Sequence, residues 1–260
     1  MNRLWKYALV AAFLAAVIAF LIFLDRREVS EYHKLTCRGI RVEFEAGADK
    51  SFITEADVKG YIARGYGKCS GRRLEEIDLI RIEEVLNSRG PVLRADAYIT
   101  KDGFLNVAIS QRRPVVRFIS GTESWYADAE GYIFPTTGNY TSRVPVVDGR
   151  LPLEIGAGFK GMPEKAADKA WVGGILTLVD FLGNNRNWDE SISQIHVDAR
   201  GRLVLVPGKG REKFIIGSPD GFREKFGRIE DYYRYVRNRK EEGYYSTVDV
   251  SYAGQIVCRK

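Results

Sequence analysis

The sequence predicts an α+β protein: an N-terminal transmembrane helix, a β-α-α-β-β domain, and a C-terminal antiparallel β-rich domain with two helices. Three observations carry that prediction. Eighteen residues from Tyr7 to Leu24 hold no charge. Between Arg38 and Ser110, one alternating run and two helical patterns precede a hairpin signal. Beyond Pro114, short apolar runs recur with two further helical patterns among them. The expected divisions are a cytoplasmic stub (1–6), the membrane helix (7–24), a stalk (25–35), the first domain (36–113) and the second (114–260).

A helix of eighteen residues reaches about 27 Å, close to the ~30 Å hydrocarbon core of a bilayer. Eleven of the eighteen are Leu, Ile, Val or Phe, which together favour insertion by about 3–7 kcal/mol. The run ends in Phe20-Leu21-Ile22-Phe23-Leu24, bulky residues that make a poor signal-peptidase site. An uncleaved anchor is therefore expected, with its lipid contacts through residues 7–24. Arg3 and Lys6 precede the run while Asp25-Arg26-Arg27-Glu28 sums to zero, so the N-terminus stays inside and the bulk of the chain lies outside. Ala8, Ala12, Ala15 and Ala19 belong to two ladders of small residues on one helix face. Such a face allows close packing against another membrane helix.

After the stalk, Ile40, Val42 and Phe44 alternate with Arg41, Glu43 and Glu45, the pattern of a strand with one buried face. Thr54, followed by Glu55 and Asp57, starts a helix with acids at its positive end. A second helix is expected from about Arg72 to Arg89, stopped by Gly90-Pro91. Val92–Thr100 and Phe104–Ser110 flank Lys101-Asp102-Gly103, a hairpin. In the second domain, strands are expected at Val115–Ile119, Trp125–Ala127, Tyr132–Phe134 and Val144–Val147. A helix follows from Pro163 to about Leu182, then strands at Ile192–Val197, Leu203–Val206 and Lys213–Ile216. A helix near Pro219–Lys240 and strands at Thr247–Tyr252 and Gln255–Arg259 complete the pattern.

The composition is that of a folding chain, 45% hydrophobic and 28% charged, with a net charge of +6. Two histidines (His33 and His196) and three cysteines leave no ligand cluster for zinc. Gly156-Ala157-Gly158-Phe159-Lys160-Gly161 fits G-x-G-x-x-G but follows Leu151-Pro152-Leu153 instead of a clear strand, so it reads as a connection and not a dinucleotide site. His196 alternates with Ile195 and Val197 and points to the surface, without a nucleophile to activate. No catalytic residue, cofactor, metal or small-molecule substrate is expected. Seven bases against three acids between Arg223 and Lys240 supply +4 of the net charge. They read as the solvated face of an amphipathic helix, and extracytoplasmic placement argues against nucleic acid. Cys37 and Cys69 enclose thirty-one residues. They are a candidate disulfide in an oxidising compartment, worth about 3–4 kcal/mol, with two buried free thiols as the alternative. Cys258 is then unpaired.

These residues carry a family resemblance. The Phe52-Ile53-Thr54-Glu55-Ala56-Asp57-Val58 helix start, the Val92-Leu93-Arg94-Ala95-Asp96 strand and Gln111-Arg112-Arg113-Pro114 resemble a POTRA domain. Trp125-Tyr126-Ala127-Asp128-Ala129-Glu130-Gly131 and Thr247-Val248-Asp249-Val250-Ser251-Tyr252 fit the domain that follows it in the bacterial cell-division protein family FtsQ/DivIB. The order of anchor, POTRA-like domain and β domain is similar to that family over essentially the whole chain. The resemblance implies a non-enzymatic inner-membrane scaffold at the division septum, with partners of the FtsB/DivIC and FtsL kinds outside the membrane. It further implies that a partner adds a strand at the last edge of the C-terminal sheet, here Tyr252, Gly254, Gln255, Ile256, Val257 and Cys258. A terminal strand with an unpaired row of backbone groups is suited to such addition. The alternative reading is an envelope-assembly or transport factor of the POTRA type.

Overall fold

The computed structural model describes residues 13–20, 35–45, 52–136, 141–185, 188, 192–208, 210–241 and 243–260. Residues 13–20 are helical and exposed. No helix among the described residues is long and apolar enough to cross a membrane. The remainder of the expected span, with Ala8 and Ala12 in it, lies outside the described residues, as does the stalk up to residue 34. From residue 35 onward the chain divides into two compact units, the first ending at Gln111 and the second running from Arg112 to Lys260. Within the second unit the Arg112 guanidinium donates to the Asp128 carboxylate at 2.7 Å.

The first unit has the expected order of elements. Strand β1 (Gly39–Phe44) precedes helices α1 (Glu55–Gly65) and α2 (Leu79–Asn87), then strands β2 (Val92–Ile99) and β3 (Phe104–Gln111). Strand β3 lies in the middle of the sheet, parallel to β1 and antiparallel to β2. Helix α1 opens with a capping box: Asp57 N–H donates to the Thr54 hydroxyl (3.2 Å) and Thr54 N–H to the Asp57 carboxylate (2.9 Å). Two donors at the helix start are thereby satisfied. Thr54→Ala is expected to lower the stability of this unit by about 1 kcal/mol, read as a fall in its urea midpoint with unchanged slope. Helical periodicity was expected from Arg72 to Arg89, but the structure breaks it. Leu74–Glu76 is a single 3₁₀ turn, Ile77 is extended and buried, and Asp78 caps α2 by accepting from Arg81 N–H at 2.9 Å. Burying Ile77 and capping at Asp78 both require that extended step. Ile53, Val58, Ile62, Leu86, Leu105 and Val107 form the core between helices and sheet.

The second unit is built on one sheet. Its strands are β4 (Pro114–Ser120), β5 (Glu123–Asp128), β6 (Ile133–Pro135), β7 (Val146–Gly149), β8 (Ile192–Val197), β9 (Leu203–Pro207), β10 (Lys213–Gly217), β11 (Thr247–Asp249) and β12 (Val257–Arg259). Their spatial order is β12-β11-β10-β9-β8-β7-β4-β5-β6. The antiparallel expectation is corrected here, because β4–β7, β7–β8 and β10–β11 are parallel. For the last two pairs the reason lies in the two helices. Helix α3 (Ala166–Asn184) carries the chain from β7 to β8, and helix α4 (Phe222–Asp231) with its extension carries it from β10 to β11. A helical crossover between neighbouring strands makes them parallel.

Helix α3 starts three residues after Pro163, and the helix expected across Pro219–Lys240 is shorter than its periodicity suggested. Helix α4 gives way at Tyr232–Val236 to one π-helical turn and at Arg237–Arg239 to a 3₁₀ turn. The wider turn lets the consecutive Tyr232 and Tyr233 both reach Phe214, at ring distances of 5.7 and 5.6 Å. An α-helical turn would splay two adjacent side chains by 100°. Val116, Phe118, Ile195, Leu205, Phe214 and Val248 on the sheet pack against Ile175 and Leu178 of α3 and Phe226 and Ile229 of α4.

Candidate functional site: the sheet edges

A three-stranded and a nine-stranded sheet present four edges, and backbone accounting distinguishes them. On β2, Ala95 N–H donates to the Asn87 side chain at 2.8 Å and Ala97 N–H to the Glu83 carboxylate at 2.7 Å. Both acceptors stand on α2, so this edge is closed by side chains. On β6, Ile133 and Gly161 exchange two backbone hydrogen bonds of 2.9 Å, so the loop before α3 closes that edge. Strand β1 ends the small sheet and β12 the large one, with no strand beyond either among the described residues. Strand β12 lies antiparallel to β11, with Cys258 opposite Val248 and Val257 opposite Asp249.

The six residues expected to form the docking edge fall into two groups. Val257 and Cys258 stand in β12, half-buried. Tyr252 and Gly254 belong to the turn that precedes it, Tyr252 exposed and Gly254 at φ +67°. Gln255 and Ile256 lie between turn and strand, and the Ile256 side chain packs on the core. The strands expected at Thr247–Tyr252 and Gln255–Arg259 are thus shorter, because the positive φ at Gly254 turns the chain sooner.

The surroundings of β12 are basic and aromatic. Lys240 and Lys260 place their ammonium groups 4.9 and 4.5 Å from the Tyr244 ring. A hydrogen bond and positive charge from Lys260, with Lys240 behind it, hold the Tyr244 hydroxyl below its ordinary pKa. Lys213, Thr247 and Arg259 occupy one row across β10, β11 and β12. Beneath this end, buried Glu212 accepts from Arg237 Nε at 2.9 Å and from the Tyr232 hydroxyl at 3.4 Å. Burial and the Glu212 charge push the Tyr232 phenol well above its ordinary pKa.

The basic run from Arg223 to Lys240 is less of a free surface than its sequence suggested. Lys225 is buried and donates to the Ser218 carbonyl at 2.9 Å, Arg228 Nε donates to the Val250 carbonyl at 3.0 Å, and Arg237 is held by Glu212. Three of the seven bases therefore hold backbone or a buried acid in place. Arg223, Arg234, Arg239 and Lys240 remain exposed.

His196 is not a bare surface histidine. Its Nδ1 lies 2.9 Å from the Asp148 carboxylate, whose other oxygen accepts from Gln194 at 2.7 Å. Among the described residues no hydrogen bond links His196 to a serine or cysteine. Asp148 stands forty-eight residues away in the chain, so no local pattern points to it; the pairing of β7 with β8 brings the two together. Cys37 and Cys69 are buried in the same core as free thiols, and Cys37 exchanges backbone hydrogen bonds of 2.8 Å with Gly71 and Arg72. Burial, with Cys37 beside it, raises the Cys69 thiol above its ordinary pKa against the opposing charge of Arg72. Cys258 is half-buried, and burial raises its pKa too. Ala15 and Ala19 lie exposed on the helical residues 13–20.

Comparison with known families agrees with both units. A model described as "FtsQ/DivIB, C-terminal related" matches residues 113–259. A POTRA-like domain model matches residues 35–110. No curated protein matches the chain.

Proposed function

The chain belongs to the FtsQ/DivIB family of non-enzymatic cell-division proteins, and from that premise we propose that it is a single-pass membrane scaffold of the divisome. In this reading it recruits partners of the FtsB/DivIC and FtsL kinds through its extracytoplasmic units, one partner adding a strand to β12. The observation that supports the docking edge most is the backbone accounting. Asn87 and Glu83 close β2, the Gly161 loop closes β6, and β12 ends the large sheet with Val257–Arg259 in strand conformation. The exposed cations around β12 suit a partner strand flanked by acids.

The membrane anchor rests on the uncharged run Tyr7–Leu24. Its described portion exposes Phe13, Leu14, Ile18 and Phe20, each more than half accessible, as a helix face against lipid would. Ala8, Ala12, Ala15 and Ala19 are the proposed packing face toward another membrane helix. In this reading the chain sits in the inner membrane at the division site, with its bulk in the periplasm.

Proline tests the edge. At Ile256 it would disturb a side chain that packs on the core, so the informative positions are Val257 and Cys258. One of two consecutive strand residues directs its N–H outward, and proline there removes a donor to the incoming strand. One of the two variants is therefore expected to lose co-purification with the FtsB/DivIC- and FtsL-like pair by at least tenfold while keeping the thermal transition of the parent. Undiminished co-purification by both variants would rule out strand addition at β12.

A further inference from the structure

Strand β1 ends the small sheet, with no strand beyond it among the described residues, and the hydrogen bonds of its neighbour show which residues face that edge. On β3 the Phe104 carbonyl accepts from Thr100 N–H on the β2 side, and the Ile109 carbonyl accepts from Glu45 N–H on the β1 side. Even-numbered residues of β3 therefore turn their backbone groups to β2 and odd-numbered ones to β1. The register sets Ile40 beside Leu105, Val42 beside Val107 and Phe44 beside Ile109. In a parallel pair one member of each such couple bonds across and the other turns away. Ile40, Val42 and Phe44 thus direct N–H and C=O to the free edge. The edge begins only there, since Cys37 is already bonded to Gly71 and Arg72.

The side chains of this strand are complementary to those of a second copy. Ile40, Val42 and Phe44 pack on the core, while Arg41 and Glu43 are exposed. Arg41 is held by Asp102 at 2.6 Å and stacks 3.5 Å from the centre of the Phe104 ring. Glu43 stands in the row Glu43, Ala108, Asp96, which offers it no cation. With a second β1 laid antiparallel and the two-fold axis at Val42, Arg41 of each copy faces Glu43 of the other, and Ile40 faces Phe44. Both Arg–Glu couples are then non-hydrogen-bonded pairs, where side chains come closest, and opposite charges there are stabilising. An axis at Arg41 or at Glu43 would instead set two arginines or two glutamates face to face, which is destabilising. Charges on an edge ordinarily repel further strands; these repel the neighbouring registers and admit the one centred on Val42.

We propose that β1 pairs with β1 of a second copy of this chain, antiparallel about Val42, and joins two three-stranded sheets into one. The pairing supplies about six backbone hydrogen bonds but buries less than the ~1,600 Å² of a standard interface. Its strength therefore comes from tethering both copies to one membrane, which raises their effective concentration. In that respect it rests on the anchor proposed above; it is independent of β12.

Charge exchange gives the test. Full-length chains labelled with donor or acceptor fluorophores are reconstituted together in phosphatidylethanolamine–phosphatidylglycerol vesicles, and energy transfer is followed as added lipid dilutes them. Flotation with the vesicles reads the anchor separately. Arg41→Glu and Glu43→Arg are each expected to weaken self-association by about tenfold or more while keeping the thermal transition of the parent. Glu43→Arg leaves Arg41 with its Asp102 and Phe104 contacts, so its effect does not depend on losing them. An equimolar mixture of the two variants restores opposite charges at both couples, as does the double exchange Arg41→Glu/Glu43→Arg, and both are expected to recover the association of the parent. No energy transfer between parent chains, floated or not, would overturn the proposal. So would undiminished transfer in both single variants, or failure of the mixture and the double exchange alike to recover it.

Discussion

Asp128→Ala is expected to destabilise the second unit by about 3–5 kcal/mol, the range for breaking a buried ion pair by removing one partner. Asp128 is 2% exposed and does three things at once. One oxygen accepts from Arg112 at 2.7 Å, and the other accepts from the Tyr132 backbone N–H at 2.8 Å. Its own backbone N–H also closes the turn by donating to the Tyr132 carbonyl. Arg112 lies 3.5 Å from the centre of the Tyr132 ring, a stacked geometry that lysine would not reproduce. Alanine at 128 leaves the guanidinium buried without its counter-ion and frees the turn between β5 and β6. Three of the four tryptophans (Trp125, Trp171 and Trp188) belong to this unit, so tryptophan fluorescence follows its unfolding. A fall in the midpoint on the order of 10 °C is expected; a fall of one or two degrees would mean that the pair contributes as little as a surface bridge.

Gly149→Ala is expected to cost a further class of energy, about 3–5 kcal/mol from strain and overlap together. Gly149 ends β7 at φ +94°, where residues with a Cβ are strained. A Cβ there would lie 2.2 Å from the Val197 carbonyl oxygen and 2.8 Å from the His196 ring. The carbonyl cannot move freely, because it accepts from Arg150 N–H at 2.9 Å at the β7–β8 junction. The control is Gly201→Ala, at φ +76° with open space around the added carbon; it carries the backbone strain alone, about 1–3 kcal/mol. Equal losses at the two sites, by the same fluorescence transition, would show that the overlap at Gly149 relaxes.

The two sites also show which parts of the molecule were legible beforehand. The hairpin at Asp102-Gly103, the Thr54 capping box and the order of elements in the first unit all follow from chemistry within a few residues. Strand periodicity says which face of a strand is buried but not which strand lies beside it. The parallel pairs β4–β7, β7–β8 and β10–β11 were therefore hidden, and with them the meeting of Asp148 with His196. Arg112 read as part of the run that ends the first domain and Asp128 as a turn residue of the second; the ion pair between them depends on how β4 and β5 pair. Asp78 was the opposite case. It is a helix-capping residue in plain sequence, overridden by apolar spacing that continued across it.

The candidate edge was legible in part for the same reason. That the last strand could close the sheet follows from its position in the chain. Its restriction to Val257–Arg259 depends on the left-handed turn at Gly254. The closure of β2 was invisible, since Asn87 and Glu83 reach across from α2 to amides eight and fourteen residues on. Those two side chains argue against recruitment at β2 as strongly as any feature of β12 argues for it there. The basic helix changed most in meaning: Lys225, Arg228 and Arg237 are fixtures of the fold, while exposed Lys240, with Lys260 of the chain's last residues, flanks Tyr244.

The central claim is strand addition at β12, and amide hydrogen exchange tests it directly. The full chain is exchanged alone and with the FtsB/DivIC- and FtsL-like pair. Slowed exchange within Val257–Arg259, with β2 and β6 unchanged, is the predicted result. Protection confined to β1, β2 or β6, with exchange at β12 unaltered by the bound partners, would contradict it.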